Sequence, residues 1–180
     1  KLLYFKEHLS CINYQINVNT GFVYYNLEKD SVSKIDNSAS PCILFLLDGE
    51  VSIDSGEYQN VHIEKDKMVL IPQHVDNKIE VIYDAKCLLL FWNKDIRVCD
   101  KVYMNSLSSY KERKKEMCVL PIRDPLQAVL NSVVAYLYAK MQCKHMHLIK
   151  QQEVLLVLRG YYTKKELFTF FSSLHLLISN

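Results

Sequence analysis

The sequence predicts a mainly β protein with a helical tail, and a change of hydrophobic period near residue 122 carries the prediction. Before that point apolar and polar residues alternate. From Cys11 to Val18, Ile12, Tyr14, Ile16 and Val18 are apolar, while Asn13, Gln15 and Asn17 are polar. After it, apolar residues recur every three or four, at Leu126, Val129, Leu130, Val133, Val134, Leu137 and Met141. The first spacing is the two-residue period of a strand and the second is one face of a helix. A further observation is that no helical pattern interrupts the strand-like runs, which excludes a doubly wound nucleotide-binding fold.

Strands are expected at 11–18, 21–28, 42–47, 50–54, 58–64, 67–71, 78–83 and 86–93. Many short strands separated by turn chemistry point to an antiparallel sandwich or barrel. Asp48-Gly49 reads as a two-residue hairpin, because both residues tolerate positive φ. Ser55-Gly56, Lys65-Asp66 and Asp84-Ala85 are weaker turn signals, and the polar stretch from Asp30 to Pro41 reads as a long loop.

Three helices follow. Asp124 is the expected cap of the first, with Pro125 at the position where a missing N–H costs nothing. The second is expected from about His147 to Arg159, stopped by Gly160 in the left-handed conformation. Thr163 and Glu166 form a capping box that starts a third, from 164 to about 176. Val154 to Leu158 is apolar all round, so the second helix must be covered on more than one side.

With 180 residues, 49% hydrophobic and 23% charged, the chain has the composition of a single folded domain with an extension. A net charge of +2 gives no general attraction to nucleic acid or membrane. The densest basic run, Lys111 to Lys115, is broken by Glu112 and reads as a solvated connector. Six cysteines are scattered without a C-x-x-C pair, the usage of a reducing compartment. No apolar run has the length of a membrane span, so a cytoplasmic location without membrane contact is the expectation. The chain begins with Lys1, not methionine, and reads as trimmed at the front.

Chemistry is sparse. Four isolated glycines make no phosphate loop, and no serine lies in a G-x-S-x-G elbow. His145 and His147 would point about 200° apart on a helix, which favours surface or capping roles over a ligand pair. His62 and His74 read as ordinary hydrogen-bonded histidines.

Leu46 to Val51, followed by Lys65 to Pro72, resembles the two sequence blocks of the cupin barrel. Val157 to Leu167 resembles the segment joining the sensor and DNA-reading halves of AraC-type transcription regulators, especially those of the Bacteroides group. The resemblance implies a double-stranded β-helix (jelly-roll) barrel followed by about three helices. Its divisions are a sensor barrel at 1–104, a linker at 105–122 and a helical dimerisation and connector segment at 123–180. The metal-binding cupin pattern is absent: its glutamate position is Cys42, its last histidine position is Asn77, and Ile35 to Ser38 holds no histidine. The resemblance thus implies a metal-free barrel without a cofactor. It also implies a small effector, with carbohydrate one candidate, a homodimer through the C-terminal helices, and DNA contact only through a further C-terminal domain beyond Asn180.

Tyr14, Tyr24, Phe45, Tyr83 and Trp92 are the aromatics expected to line the barrel's mouth or interior and bind that effector. Ile12, Tyr14, Ile16, Val18, Val51, Ile53, Val61 and Ile63 are expected on the inner face. No acid/base pair joins them, so no catalytic residue is expected and the reading is not an enzyme. The alternatives are a metal-free cupin enzyme of the sugar isomerase or epimerase kind, and a structural dimer module with a side-chain-filled barrel.

Overall fold

A computed structural model of the chain describes residues 20–92 and 116–178, with side chains through Ser172. Seven strands come first: β1 Gly21–Leu27, β2 Val32–Ser33, β3 Cys42–Ser55, β4 Tyr58–Glu64, β5 Lys67–Ile71, β6 Asn77–Phe91 and β7 Val119–Pro121. Three helices follow: α1 Asp124–Tyr138, α2 Lys144–Tyr161 and α3 Lys164–Ile178. The expected strand 11–18, with its inner-face residues Ile12, Tyr14, Ile16 and Val18, lies outside the described residues.

All pairings are antiparallel, in the order β1-β6-β3-β5-β7, with β2 on β6 and β4 on β3. Two long strands make the frame. The first half of β3 lies between β5 and the end of β6, with Phe45 opposite both Met68 and Leu88. Its second half lies between β4 and the start of β6, with Ile53 opposite both Val61 and Ile79.

The expected hairpin at Asp48-Gly49 is therefore corrected. Chain direction continues through it, and the β3–β6 register shifts on both sides of Asp48. Asp84-Ala85 is likewise an irregularity within β6 and not a turn. The two sites face each other: a Cβ on Gly49, whose φ is +84°, would lie 2.2 Å from the Asp84 carbonyl oxygen. Glycine is required here by both its conformation and this close approach. These facing bulges bend β3 and β6 together and let the sheet curl around an interior, the jelly-roll arrangement. Gly56 and Lys65-Asp66 do turn the chain, between β3 and β4 and between β4 and β5.

The sheet separates two apolar layers. Cys42, Leu44, Leu46, Val51, Ile53, Ile63, Val69, Ile71, Ile79 and Val81 fill the interior. Ile43, Phe45, Met68, Leu70, Leu88 and Leu90 point the other way and pack against the helices. This explains why 42–47, 68–71 and 87–91 are continuously apolar in sequence: strands covered on both faces have no polar side. The helices contribute Leu126, Leu130 and Val133 from α1, Val154 and Leu158 from α2, and Leu167, Phe170 and Phe171 from α3. Fully burying one such side chain is worth about 1.5–3 kcal/mol, so this seam is a main source of stability.

The helix boundaries differ in two places from expectation. Arg123, not Asp124, is the N-cap residue of α1, and Asp124 is an acid in its first turn, where the helix dipole favours it. Gly160 does not stop α2, which continues to Tyr161 and is capped by extended Tyr162. The capping box of α3 forms as expected: Thr163 Oγ1 accepts the Glu166 N–H at 3.2 Å, and the Glu166 carboxylate accepts the Thr163 N–H at 2.7 Å. Residues 119–121 of the expected linker are β7, paired on β5 from Lys67–Pro121 to Val69–Val119.

Candidate functional site

Of the four described aromatics expected at one site, Tyr24, Phe45 and Trp92 share the helix-facing layer and Tyr83 lies apart from them on the surface. Tyr14 lies outside the described residues. Phe45, fully buried, and Trp92 belong to the helix-facing layer, Trp92 with its ring centroid 5.8 Å from that of Phe171. Tyr24 is half-buried against the same layer, its ring 5.6 Å from Tyr138. Burial and the neighbouring Tyr138 hydroxyl push the Tyr24 phenol up to about 12. Tyr83 is exposed, with the Lys29 ammonium 5.8 Å from its ring centre. The expected placement at the barrel's mouth or interior is corrected for Tyr24, Phe45 and Trp92. Strand alternation puts Phe45 on the face opposite Leu44 and Leu46, and the helices cover that face. The continuous run Cys42 to Leu47 was the signal for two buried faces.

Val51, Ile53 and Ile63 do lie in the interior, with Val61 packed at its edge. The family's metal positions serve other ends. Cys42 is a fully buried thiol whose ionisation burial suppresses. Asn77 is buried and ties the loop before β3: its Oδ1 accepts the Ile35 N–H at 2.8 Å and its Nδ2 donates to the Ile35 carbonyl at 2.9 Å. Among the described residues no three His, Cys, Asp or Glu side chains are grouped to hold a metal ion.

Two polar joints fasten the helices to the barrel. In the first, His147 on α2 is buried, and its Nδ1 accepts the Phe22 N–H at 2.8 Å. A surface or capping role was expected for it; the fold instead turns it inward against β1, while His145 stays exposed. Accepting at Nδ1 puts the neutral ring's proton on Nε2, which is buried with no hydrogen-bond partner. Burial holds the imidazolium off until about pH 4. The ring stacks on Phe22 at 6.0 Å and lies where a Cβ on Gly21 would be, 2.5 Å from Nδ1.

In the second joint, Tyr162 donates its hydroxyl to the Pro121 carbonyl at 2.7 Å and accepts the Arg123 N–H at 3.1 Å. The Arg123 guanidinium stacks 4.3 Å from the Tyr162 ring centre and donates to the Glu166 carboxylate at 2.7 Å and to the Tyr161 carbonyl. Thr163 and Arg123 together hold the Glu166 carboxyl below the usual carboxylate range. Its Tyr161, Tyr162, Thr163 and Glu166 lie within Val157 to Leu167, the segment likened above to the connector of AraC-type regulators, and Pro121 and Arg123 come from β7 and the start of α1.

A cleft of about 590 Å³ opens at the far end of the barrel, between β2, the β3–β4 turn and the start of β6. Ser33, Lys34, Asp54, Gln59, Asp76 and Lys78 are among its lining residues.

No protein-family model matches the chain, and no curated protein does. Solved structures do resemble it. The chain is similar to ToxT of Vibrio cholerae, an AraC-type regulator solved with (E)-4-(8-methylnaphthalen-1-yl)but-3-enoic acid, at a TM-score of 0.51 and 12% identity. That match covers 86% of this chain and 55% of ToxT, so the chain spans about half of ToxT's length. It is also similar to a cupin-2 domain protein of Shewanella frigidimarina, at 15% identity and TM-score 0.34, over 49% of this chain and 90% of that one. An RmlC-like cupin of Methanocaldococcus jannaschii with a double-stranded β-helix fold gives 17% identity and TM-score 0.36, over 41% of this chain and 71% of that one. The ToxT likeness extends the fold agreement beyond the barrel, because 86% of the chain cannot be covered without the helices. Among the described residues no helix is long and apolar enough to cross a membrane.

Proposed function

We propose that this chain is the ligand-sensing and dimerising part of an AraC-type transcription regulator and not an enzyme. The observation that carries the reading is the likeness to ToxT over barrel and helices together. The joint at Arg123, Tyr162 and Glu166 supports it, since it braces the barrel against the segment that would lead to a DNA-reading half. In this reading a small effector binds the barrel domain without a metal, and DNA is contacted only by another part of the polypeptide. Ile149 and Leu156, 62% and 61% exposed on the outward face of α2, support a second copy of the chain as partner.

The reading frame that encodes this chain tests the class. Two helix-turn-helix units in the same polypeptide are expected, and a frame that encodes the barrel and helices without them refutes it. Sedimentation at tens of micromolar tests the partner: a dimer is expected, dissociated by Leu156→Glu with the barrel's spectrum unchanged. A monomeric parent chain refutes the pairing.

A further inference from the structure

We propose that the far end of the barrel interior holds a peptide-binding site that the chain's own Ile35 occupies. Residues 34–38 then act as a strap that a small ligand carrying an extended peptide unit displaces. The proposal rests on the sensor reading for its purpose and gives that reading an entrance and a class of effector.

Among the described residues, every buried member of the interior layer lies on a strand except Ile35, which comes from the loop between β2 and β3. Val51, Ile53 and Ile63 have no exposed surface, so the interior admits a ligand only where part of its wall can leave. The strands are held by ladders of backbone hydrogen bonds, and the strap is held mostly by side chains. Asn77 Oδ1 accepts the Ile35 N–H at 2.8 Å, and its Nδ2 donates to the Ile35 carbonyl at 2.9 Å. Asn37 Nδ2 donates to the carbonyls of Pro72 at 2.6 Å and Val75 at 2.7 Å, and the Asn37 carbonyl accepts the His74 N–H at 3.2 Å. Gln73 Nε2 donates to the Ser38 carbonyl at 3.0 Å. The Lys34–Asp76 pair is largely exposed on both sides and adds little.

The Asn77 carboxamide takes both the N–H and the C=O of a single residue. That is the double bond a residue exchanges with its partner on an antiparallel strand. Asn77 therefore reads a peptide unit and not a particular side chain. The paired Ile53 and Ile79 lie one pleat further in on the same face and supply an apolar floor.

A second, independent observation is the Ser55 hydroxyl. Ser55 is two positions from Ile53 on β3 and directly opposite Asn77 on β6, so its side chain faces the interior beside the Asn77 carboxamide. The residue is 1% exposed, and its Oγ has no hydrogen-bond partner. Buried hydroxyls are nearly always bonded. The strap satisfies Asn77 and leaves Ser55 bare. A ligand with the same peptide unit and a hydroxyl on its side chain gains a bond that Ile35 cannot make, and this lets a free molecule compete with a tethered one.

Amide NMR of the chain tests the proposal. The Ile35 N–H should exchange with solvent about tenfold or more faster than those of Leu44 and Ile53, through opening of the strap alone. Exchange no faster than theirs overturns the strap. N-acetylthreonine methylamide, titrated to millimolar concentration, should give saturable shifts at Ile53, Ser55 and Asn77–Ile79. Asn37→Ala frees the strap without touching the site and should tighten that binding about tenfold, because apparent affinity rises with the open fraction. Asn77→Ala also loosens the strap but should abolish binding; if it does not fold, Asn77→Asp, which loses the donor, should weaken binding about tenfold or more. Two loosening variants with opposite effects are not what a purely structural tie gives. Ser55→Ala should weaken the threonine probe about fivefold and leave N-acetylisoleucine methylamide unchanged. Absence of saturable binding even to Asn37→Ala, or equal effects of Asn37→Ala and Asn77→Ala, overturns the site. Binding in a chain whose reading frame lacks helix-turn-helix units refutes the sensor reading and leaves the site standing.

Discussion

Replacing Gly21 by alanine probes the joint between barrel and helix with a single methyl group. Gly21 has φ +86°, and a Cβ there would meet His147 Nδ1 at 2.5 Å, Cγ at 2.7 Å and Cβ at 3.0 Å. The conformation alone costs an L-residue about 1–2 kcal/mol. The imidazole must also move, which breaks the 2.8 Å hydrogen bond from the Phe22 N–H and strands a buried donor. That loss adds about 1–3 kcal/mol, so Gly21→Ala should destabilise by about 2–5 kcal/mol in all. Urea denaturation measures it, as a lower midpoint with an unchanged slope. The contact also fixes a coupling. In a His147→Ala background the two ring contacts and the hydrogen bond are already gone and only the 3.0 Å approach to the Cβ of residue 147 remains, so Gly21→Ala should cost little beyond the conformational part. Equal costs in the two backgrounds would refute the contact, since residues that touch do not add independently.

Three further outcomes follow from the geometry. Because burial lowers the His147 pKa to about 4 from 6.5, the unfolded chain takes up this proton first as the pH falls. His147 therefore adds full stability above about pH 6.5 and loses about 3 kcal/mol of it towards pH 4; His147→Gln should flatten that slope in urea titrations, and an unchanged slope contradicts the assignment. Glu166→Gln should cost about 1 kcal/mol at neutral pH by weakening the cap and the Arg123 pair. The loss should vanish in acid below the ordinary carboxylate range, where the depressed Glu166 carboxyl is itself protonated, and thermal melts at both pH values would show it. A thiol reagent should label half-buried Cys118 and Cys143 in the folded chain and reach Cys42 and Cys87 only after unfolding, because burial removes access and suppresses the thiolates. Peptide mapping reads this, and early labelling of Cys42 would contradict the interior placement.

The division into strands and helices was legible because each period repeats several times on one face. The positions of the facing bulges were not. Asp48-Gly49 carries the residues of a tight turn, and only its long-range pairing with Asp84 and Lys86 makes it a bulge in one continuous strand. Gly160 was misread for a related reason: glycine tolerates a helical position at about 1 kcal/mol relative to alanine, and the hydrogen bonds of Tyr162 to Pro121 and Arg123 place the end of α2 two residues later. The candidate site was the least legible part. Phe45 and Trp92 were recognisable as buried, but which side of the sheet they face depends on a helical layer that arrives some eighty and thirty residues later in the chain. The inward turn of His147 has no local signal at all, since its partner is a backbone N–H at Phe22, 125 positions away.

The alternation along the first half of β3 has a mechanical corollary. Leu44 and Leu46 belong to the barrel's filling while Ile43 and Phe45, their immediate neighbours, belong to the floor on which the helices rest. Only one peptide plane separates the two, and β5 and β6 repeat the arrangement on either side. A displacement of the filling by even a fraction of a side chain cannot be absorbed within such a membrane-thin wall, because close-packed layers are barely compressible. The sheet works as a shared diaphragm: pressure on one face is a change of shape on the other, with no linker, hinge or relay between them.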